Sequence, residues 1–176
     1  MKKLLIILAA LAFLPGQCRG LDKRLLSAAG AQALAEEAPD FTLLSASGRR
    51  TTLSESRGRV VIIHIWATWC EPCKKEFPLL EKMYGEFKKK GVVFFPIAVD
   101  ANTDIKKIDA YAKGLGATFD VYSAEDGDIS EEYWTWGVPV TYFVNKKGVI
   151  VARALGPRDW NSDGVKTLIQ ALLDER

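Results

Sequence analysis

The sequence predicts an α/β domain: a central mixed sheet flanked by helices, preceded by an N-terminal extension. Two apolar runs, Val60 to Trp66 and Val92 to Val99, flank a charged periodic stretch from Lys74 to Lys90. That is a strand, helix and strand with parallel pairing and a right-handed crossover. A second pair of apolar runs, Val140 to Val144 and Val149 to Ala154, is joined by Asn145-Lys146-Lys147-Gly148 and reads as an antiparallel hairpin, so the sheet is mixed. Finally, the segment from Ser162 to Asp174 places Val165, Leu168, Ile169 and Leu172 on one helical stripe that faces the sheet.

The remaining elements follow in order. Residues 21–37, rich in Ala and Leu, form a linker or a short amphipathic helix, and the domain proper is expected over 38–176. A short strand near Phe41 to Leu44 meets a turn at Ser47-Gly48, and Arg57-Gly58 precedes the buried strand at Val60. The helix after that strand carries Glu76, Leu79, Leu80, Met83, Tyr84 and Phe87. Pro78 within it predicts a kink, because proline removes a donor and clashes with the preceding turn. Gly91 ends that helix. A second helix is expected from Asp104 to Lys113 and a short strand from Thr118 to Tyr122. There are no internal repeats and no low-complexity tract.

The first 20 residues have the pattern of a secretory signal. Lys2-Lys3 precede an unbroken apolar run from Leu4 to Leu14, which breaks at Pro15-Gly16. That run is shorter than the roughly 20 residues that span a bilayer as a helix, so an uncleaved anchor is the weaker alternative. Cys18, just past the run, would be the lipid attachment point if the chain were a lipoprotein, although Pro15-Gly16-Gln17 fits the small-residue pattern badly. The expected location is therefore the periplasm or the outer face of the cytoplasmic membrane. The formal charge of the 176 residues is +2, and Lys2 and Lys3 alone carry as much, so no basic footprint for nucleic acid is visible. About 155 residues beyond the leader suit one domain.

The chemistry is concentrated at Cys70-Glu71-Pro72-Cys73. Two thiols two residues apart can alternate between dithiol and disulfide with little backbone movement. Placed after a strand and at the start of a helix, Cys70 meets exposed N–H groups and the positive end of the macrodipole, which favour a thiolate. Zinc wants about four N or S ligands, and with Cys18 in the leader the domain offers only Cys70, Cys73 and His64. No metal and no cofactor is expected. A purely structural disulfide across so short a loop would contribute only about 2 kcal/mol. In an exported chain such a pair either oxidises its targets or is kept reduced by a dedicated electron supply.

Three motifs carry a family resemblance: Trp66-Ala67-Thr68-Trp69-Cys70-Glu71-Pro72-Cys73, the opening Ala38-Pro39-Asp40-Phe41-Thr42-Leu43, and Gly137-Val138-Pro139-Val140-Thr141-Tyr142-Phe143. Together they resemble the exported thioredoxin-like proteins of the TlpA/ResA group over residues 38 to 174. The resemblance implies a thioredoxin-like fold and thiol-disulfide oxidoreductase activity, with Cys70 as the attacking and Cys73 as the resolving thiol. Pro139 would be a cis-proline facing the pair, and the Val138-Pro139 segment would leave room for a substrate strand. It further implies reduction of protein disulfides, apocytochrome c among them, and a membrane electron donor such as a DsbD/CcdA-like protein.

Around the pair, Glu76 lies one helical turn past Cys73. It would raise the Cys73 pKa as a like charge or accept its proton as a base; the bland alternative is a solvated helix glutamate beside Lys74 and Lys75. Glu71 should disfavour the thiolate of Cys70 somewhat, and the dipeptide Glu71-Pro72 sets the potential. His64 sits six residues before Cys70, where thioredoxins place a buried aspartate. The chain departs from that aspartate and from the asparagine expected in closer relatives. His64 is expected inside the domain beside Ile62 and Trp66, either as a hydrogen-bonded core residue or as a proton relay. Trp66 is expected in the core and Trp69 at the rim of the exposed sulfur as a docking surface. Tyr133, Trp134 and Trp136 either extend that surface or pack inside. Two other functions share the fold: a thiol peroxidase, which would want a Thr-x-x-Cys setting where Thr68 is only two residues before Cys70, and a copper chaperone, which would want a histidine after Cys73.

Overall fold

In the computed structural model, which describes residues 21–124, 129, 133 and 137–175, the chain runs α1 (Lys23–Ala28), β1 (Gln32–Glu37), β2 (Thr42–Ser45), β3 (Arg50–Thr52), β4 (Val61–Trp66), α2 (Glu71–Phe87), β5 (Val93–Ala98), α3 (Ile105–Gly114), β6 (Tyr122–Ala124), β7 (Val140–Val144), β8 (Val149–Leu155) and α4 (Asp163–Asp174). The eight strands form one sheet in the order β1-β8-β7-β4-β5-β6-β2-β3. β4 pairs parallel with β5 across α2, as the expected strand, helix and strand require, while β7 pairs antiparallel with both β4 and β8. The mixed sheet is thus built.

β4 is buried at every position, and its alternation divides the interior. Ile62 and Trp66 point into a cluster with Phe77, Leu80, Met83 and Phe87 of α2 and Val165, Leu168, Ile169 and Leu172 of α4. Val61, Ile63 and Ile65 point the other way, to Phe95, Ile97, Val140, Tyr142 and Tyr133. α2 continues through Pro78 to Phe87, and a 3-10 turn over Lys88–Lys90 then ends at Gly91, whose φ of 92° is the left-handed stop expected there.

Several boundaries differ from the sequence reading. The segment read as linker or short helix holds α1 and then β1, and β1 adds an edge strand to β8, pairing Gln32 with Arg153 and Glu37 with Val149. The sheet therefore extends N-terminal to residue 38. Its polar, exposed pattern hid it, because only one side of an edge strand rests on the domain. β3 was also not foreseen. It is three residues long and closes a hairpin on β2 through the turn at Gly48, which has φ 79°. The expected strand Thr118 to Tyr122 is displaced to Tyr122–Ala124, since Thr118 gives its N–H and hydroxyl to Glu81 (2.7 and 2.6 Å) instead of to a strand. α2 starts at Glu71 with Cys70 as its cap, as expected of the helix that Cys70 was to open, and holds Pro72 in its first turn, where a missing N–H costs nothing. Residues 1–20, read as a leader and carrying Cys18, lie outside the described residues together with Trp134 and Trp136. Among those described, no helix is long and apolar enough to cross a membrane.

Candidate active site

The site forms where β4 ends and α2 begins. Between them Ala67 accepts a hydrogen bond from Cys70 N at 3.1 Å, and the Asp100 carboxylate, just past β5, takes Thr68 N at 3.0 and 3.2 Å together with the Thr68 hydroxyl. Asp100 was not anticipated. It pins the turn that aims Cys70, and only the parallel register of β4 and β5 brings it there. Cys70 and Cys73 form a disulfide, with Cα atoms 5.3 Å apart at the spacing of one helical turn. Cys70 Sγ accepts the N–H of Cys73 at 3.2 Å, so the sulfur sits on the amide end of α2, where negative charge is favoured. Both cysteines are buried, Cys73 at 0 % exposure and Cys70 at 4 %. Cys70 is thus less open than the sequence reading supposes, because the Val138-Pro139 segment lies across it.

The Val138-Pro139 peptide bond is cis, and the Val138 carbonyl oxygen stands 3.6 Å from Cys70 Sγ. Pro139 leads directly into β7 and its carbonyl accepts Gly156 N at 2.9 Å, which ties the segment to the end of β8. Trp69 remains 68 % exposed beside the pair, whereas Trp66 is buried against Phe77, ring centroids 4.5 Å apart. Tyr133 is core, its hydroxyl donating to the Pro39 carbonyl at 2.6 Å. Glu71 is exposed and paired with Lys74 at 3.1 Å.

Glu76 is not a solvated glutamate. It is 2 % exposed on the same side of α2 as Cys73, and its Oε1 accepts the indole N–H of Trp160 at 2.7 Å and the backbone N–H of Arg158 at 2.9 Å. Its Oε2 is buried without a partner. Burial pushes its carboxyl above the ordinary carboxylate range, and the two N–H groups and the Arg158 charge only partly oppose this. Pro72, Lys75, Glu76, Leu79, Pro157 and Arg158 line a groove of about 470 Å³ alongside. The arrangement places a buried carboxylate with one unpartnered oxygen a helical turn past Cys73.

His64 lies fully buried beneath this layer. Its Nδ1 is 3.0 Å from the Thr141 hydroxyl, its ring stands edge-on to Trp160 at 5.7 Å, and its Nε2 has no partner. Burial and the nearby Arg158 charge lower its pKa to about 3, so it is a neutral imidazole in ordinary buffers. Arg158 and Trp160 were missed in the sequence. The loop that bears them follows Gly156-Pro157, and Arg158 lies 82 positions after Glu76. The only cue was a tryptophan in a polar loop. Among the described residues no group of three or more His, Cys, Asp and Glu side chains could hold a metal ion.

The family model described as the AhpC/TSA family matches residues 34–153. The thiol-disulfide oxidoreductase ResA of Bacillus subtilis is 34% identical over 130 residues, 73% of this chain and 72% of that one. ResA of Geobacillus thermodenitrificans is 29% identical over 84% of this chain and 80% of its own length. Among solved structures, a putative thiol:disulfide interchange protein DsbE from Chlorobium tepidum superposes with a TM-score of 0.70 at 27% identity, covering 79% of this chain and 96% of its own.

Proposed function

Because this chain belongs to the AhpC/TSA family and is a thiol-disulfide oxidoreductase of the TlpA/ResA-like kind, we propose that it cycles Cys70 and Cys73 between dithiol and disulfide to reduce disulfides in exported proteins. The observation that carries the reading is Glu76, a buried carboxylate one turn from Cys73 with a free oxygen and a raised proton affinity.

In the reduced state the Cys70 thiolate, held on the first amides of α2, attacks one sulfur of a substrate disulfide. That S–S bond breaks, a mixed disulfide with Cys70 forms, and the first substrate sulfur leaves as a thiolate and takes a proton. Cys73 then gives its proton to Glu76 and attacks Cys70 Sγ. The Cys70–Cys73 bond closes and the second substrate thiolate departs, protonated in turn. Two electrons have passed to the substrate, and a dithiol donor must return them. Val138 and Pro139, with Trp69, Glu71 and Pro72 around the sulfur, form the surface on which a substrate segment docks. The exposed indole of Trp69 supports that assignment. His64 serves as packing and not as a carrier of protons, given its lowered pKa.

The signal pattern of residues 1–20 supports export to the periplasm or the outer face of the membrane, with Cys18 as a lipid anchor in the lipoprotein alternative. In that compartment a reductant needs a membrane electron donor of the DsbD/CcdA kind, and apocytochrome c is the substrate we assign to it. The decisive experiment is a Cys73→Ser trap in the exporting cell. Without the resolving thiol, Cys70 stays joined to its partner, and recovery of apocytochrome c supports the assignment. Recovery of small thiols alone would turn the reading to a small-molecule substrate.

A further inference from the structure

Arg158 makes an unusual set of contacts. Its Nη1 donates to the carbonyls of Ala29 (3.2 Å) and Gly30 (3.3 Å) at the end of α1, and its Nη2 to those of Leu155 (3.3 Å) and Gly156 (2.9 Å) at the end of β8. One guanidinium thus holds the N-terminal strap against the loop between β8 and α4. The same loop supplies both hydrogen bonds to Glu76, from the N–H of residue 158 itself and from Trp160 two residues on, and the guanidinium stands 5.7 Å from the Trp160 ring. A planar fork can grip four carbonyls at once, which a flexible ammonium cannot.

We propose that Arg158 is a positioning residue for Glu76: by clamping the strap to the β8–α4 loop it fixes the two N–H groups that hold Glu76 Oε1, and so sets the proton affinity of that carboxylate. The proposal rests on the reading of Glu76 as the proton acceptor of Cys73, and adds that a residue of the loop and the backbone of the strap govern it. Among the described residues, the ionisable and charged groups around Glu76 are Arg158 itself, Lys75 on its own helix at the groove, His64 of β4 across Trp160, Asp159 in the loop, and the cysteine pair. His64 is neutral, Asp159 is exposed and receives the Asn161 N–H, and Lys75 is exposed, so Arg158 is the group whose removal Glu76 must feel.

The Trp160 indole N–H is bonded directly to the carboxylate and reports its titration. The test follows the Trp160 indole resonance, assigned with Trp160→Phe, against pH in the full chain, for the natural protein and for Arg158→Ala and Arg158→Lys. Rapid alkylation of the reduced pair by iodoacetamide is measured over the same range. Arg158→Ala is expected to raise the indole midpoint by about one pH unit, since a positive charge and two fixed donors are loosened together. Arg158→Lys, which keeps the charge and lets the fold be checked if the alanine variant unfolds, is expected to raise it by less, and to carry the alkylation inflection with it. An unmoved midpoint in Arg158→Ala overturns the proposal. So does full restoration by lysine, which would make charge alone sufficient. An indole midpoint that moves while the alkylation profile ignores it leaves the clamp standing and removes Glu76 as the base, so the two failures are distinguishable.

Discussion

Trp160 donates its indole N–H to Glu76 at 2.7 Å inside the core, one helical turn from Cys73. A tryptophan has only that one polar atom to satisfy when buried, and a carboxylate in an apolar layer needs donors to stay ionised. Each answers the other, but the second carboxylate oxygen stays without a partner and is the side from which a proton can arrive.

Glu76→Gln should therefore separate structure from chemistry. The amide oxygen can still accept from Trp160 and Arg158, so the fold is kept, but it takes no proton from Cys73. Turnover of a disulfide substrate is expected to fall roughly ten- to a hundred-fold at neutral pH, toward the lower end of what general bases contribute. The stability difference should also depend on pH. The folded-state pKa of Glu76 is raised above its unfolded value, so the folded protein binds more protons above the ordinary carboxylate range. Its stabilising contribution is then full at acid pH and lost as pH rises through the folded pKa. Melting curves of the Gln variant against the natural chain should diverge in favour of the variant on going from mildly acid to neutral pH. A constant difference would contradict the buried carboxylate.

His64 has the opposite sign. Its pKa falls from the ordinary 6.5 to about 3 on folding, so between those values the unfolded chain binds a proton that the folded one does not, and stability drops as pH falls through that window. The loss approaches about 1.4 kcal/mol for each pH unit below 6.5. His64→Asn should flatten this acid limb in denaturant titrations, and it should leave the pH profile of Cys70 alkylation unchanged, because a neutral imidazole has no proton to exchange near pH 7. A profile displaced by the substitution would restore proton relay through His64.

Much of the domain was legible because it depends on local patterns. The buried run at β4, the stripe on α4 and the Asn145 to Gly148 turn each announce their element by periodicity or turn residues. Cys70, Cys73 and Pro139 were legible as motifs. The strap was not, because α1 is six residues long and β1 exposes most of its side chains, so neither has an amphipathic signature. The partners of Glu76 were hidden for a different reason. Arg158 binds it through a backbone N–H, and such a bond leaves no trace in residue type. Even the burial of Glu76 follows from the loop after β8 folding over α2, a contact across 82 positions.

Gly164 shows how closely the strap is seated. It lies in the first turn of α4, and a Cβ built on it would stand 2.1 Å from the Ala28 carbonyl oxygen and 2.4 Å from its carbon. Alanine is worth up to about 1 kcal/mol over glycine inside a helix, but a backbone contact this short forces α1 to move, and overpacking costs about 1–3 kcal/mol. Gly164→Ala should therefore lower the denaturation midpoint in spite of its better helix propensity, and hasten proteolysis within residues 21–31. A raised midpoint would mean that α1 does not rest on α4 at this point.

The direction of electron flow is the remaining test. A strong oxidant has its reduced form stabilised, which means a thiolate favoured well beyond what a helix terminus supplies. Here the helix terminus does favour the Cys70 thiolate, but three features work against a large effect. Cys70 is 4 % exposed, so burial disfavours charge on it. The Glu76 carboxylate lies one turn past Cys73 and repels a second negative charge when ionised. The Lys74 ammonium, next to Cys73 in the chain, is already paired with Glu71 at 3.1 Å and adds little net field. The reduction potential, measured by equilibration with glutathione or a dithiol of known potential, is thus expected at roughly −200 to −300 mV, in the range of thioredoxin and the glutaredoxins. A value near −120 mV, like that of DsbA, would mean that some other charge stabilises the thiolate, and the protein would then donate disulfides rather than reduce them.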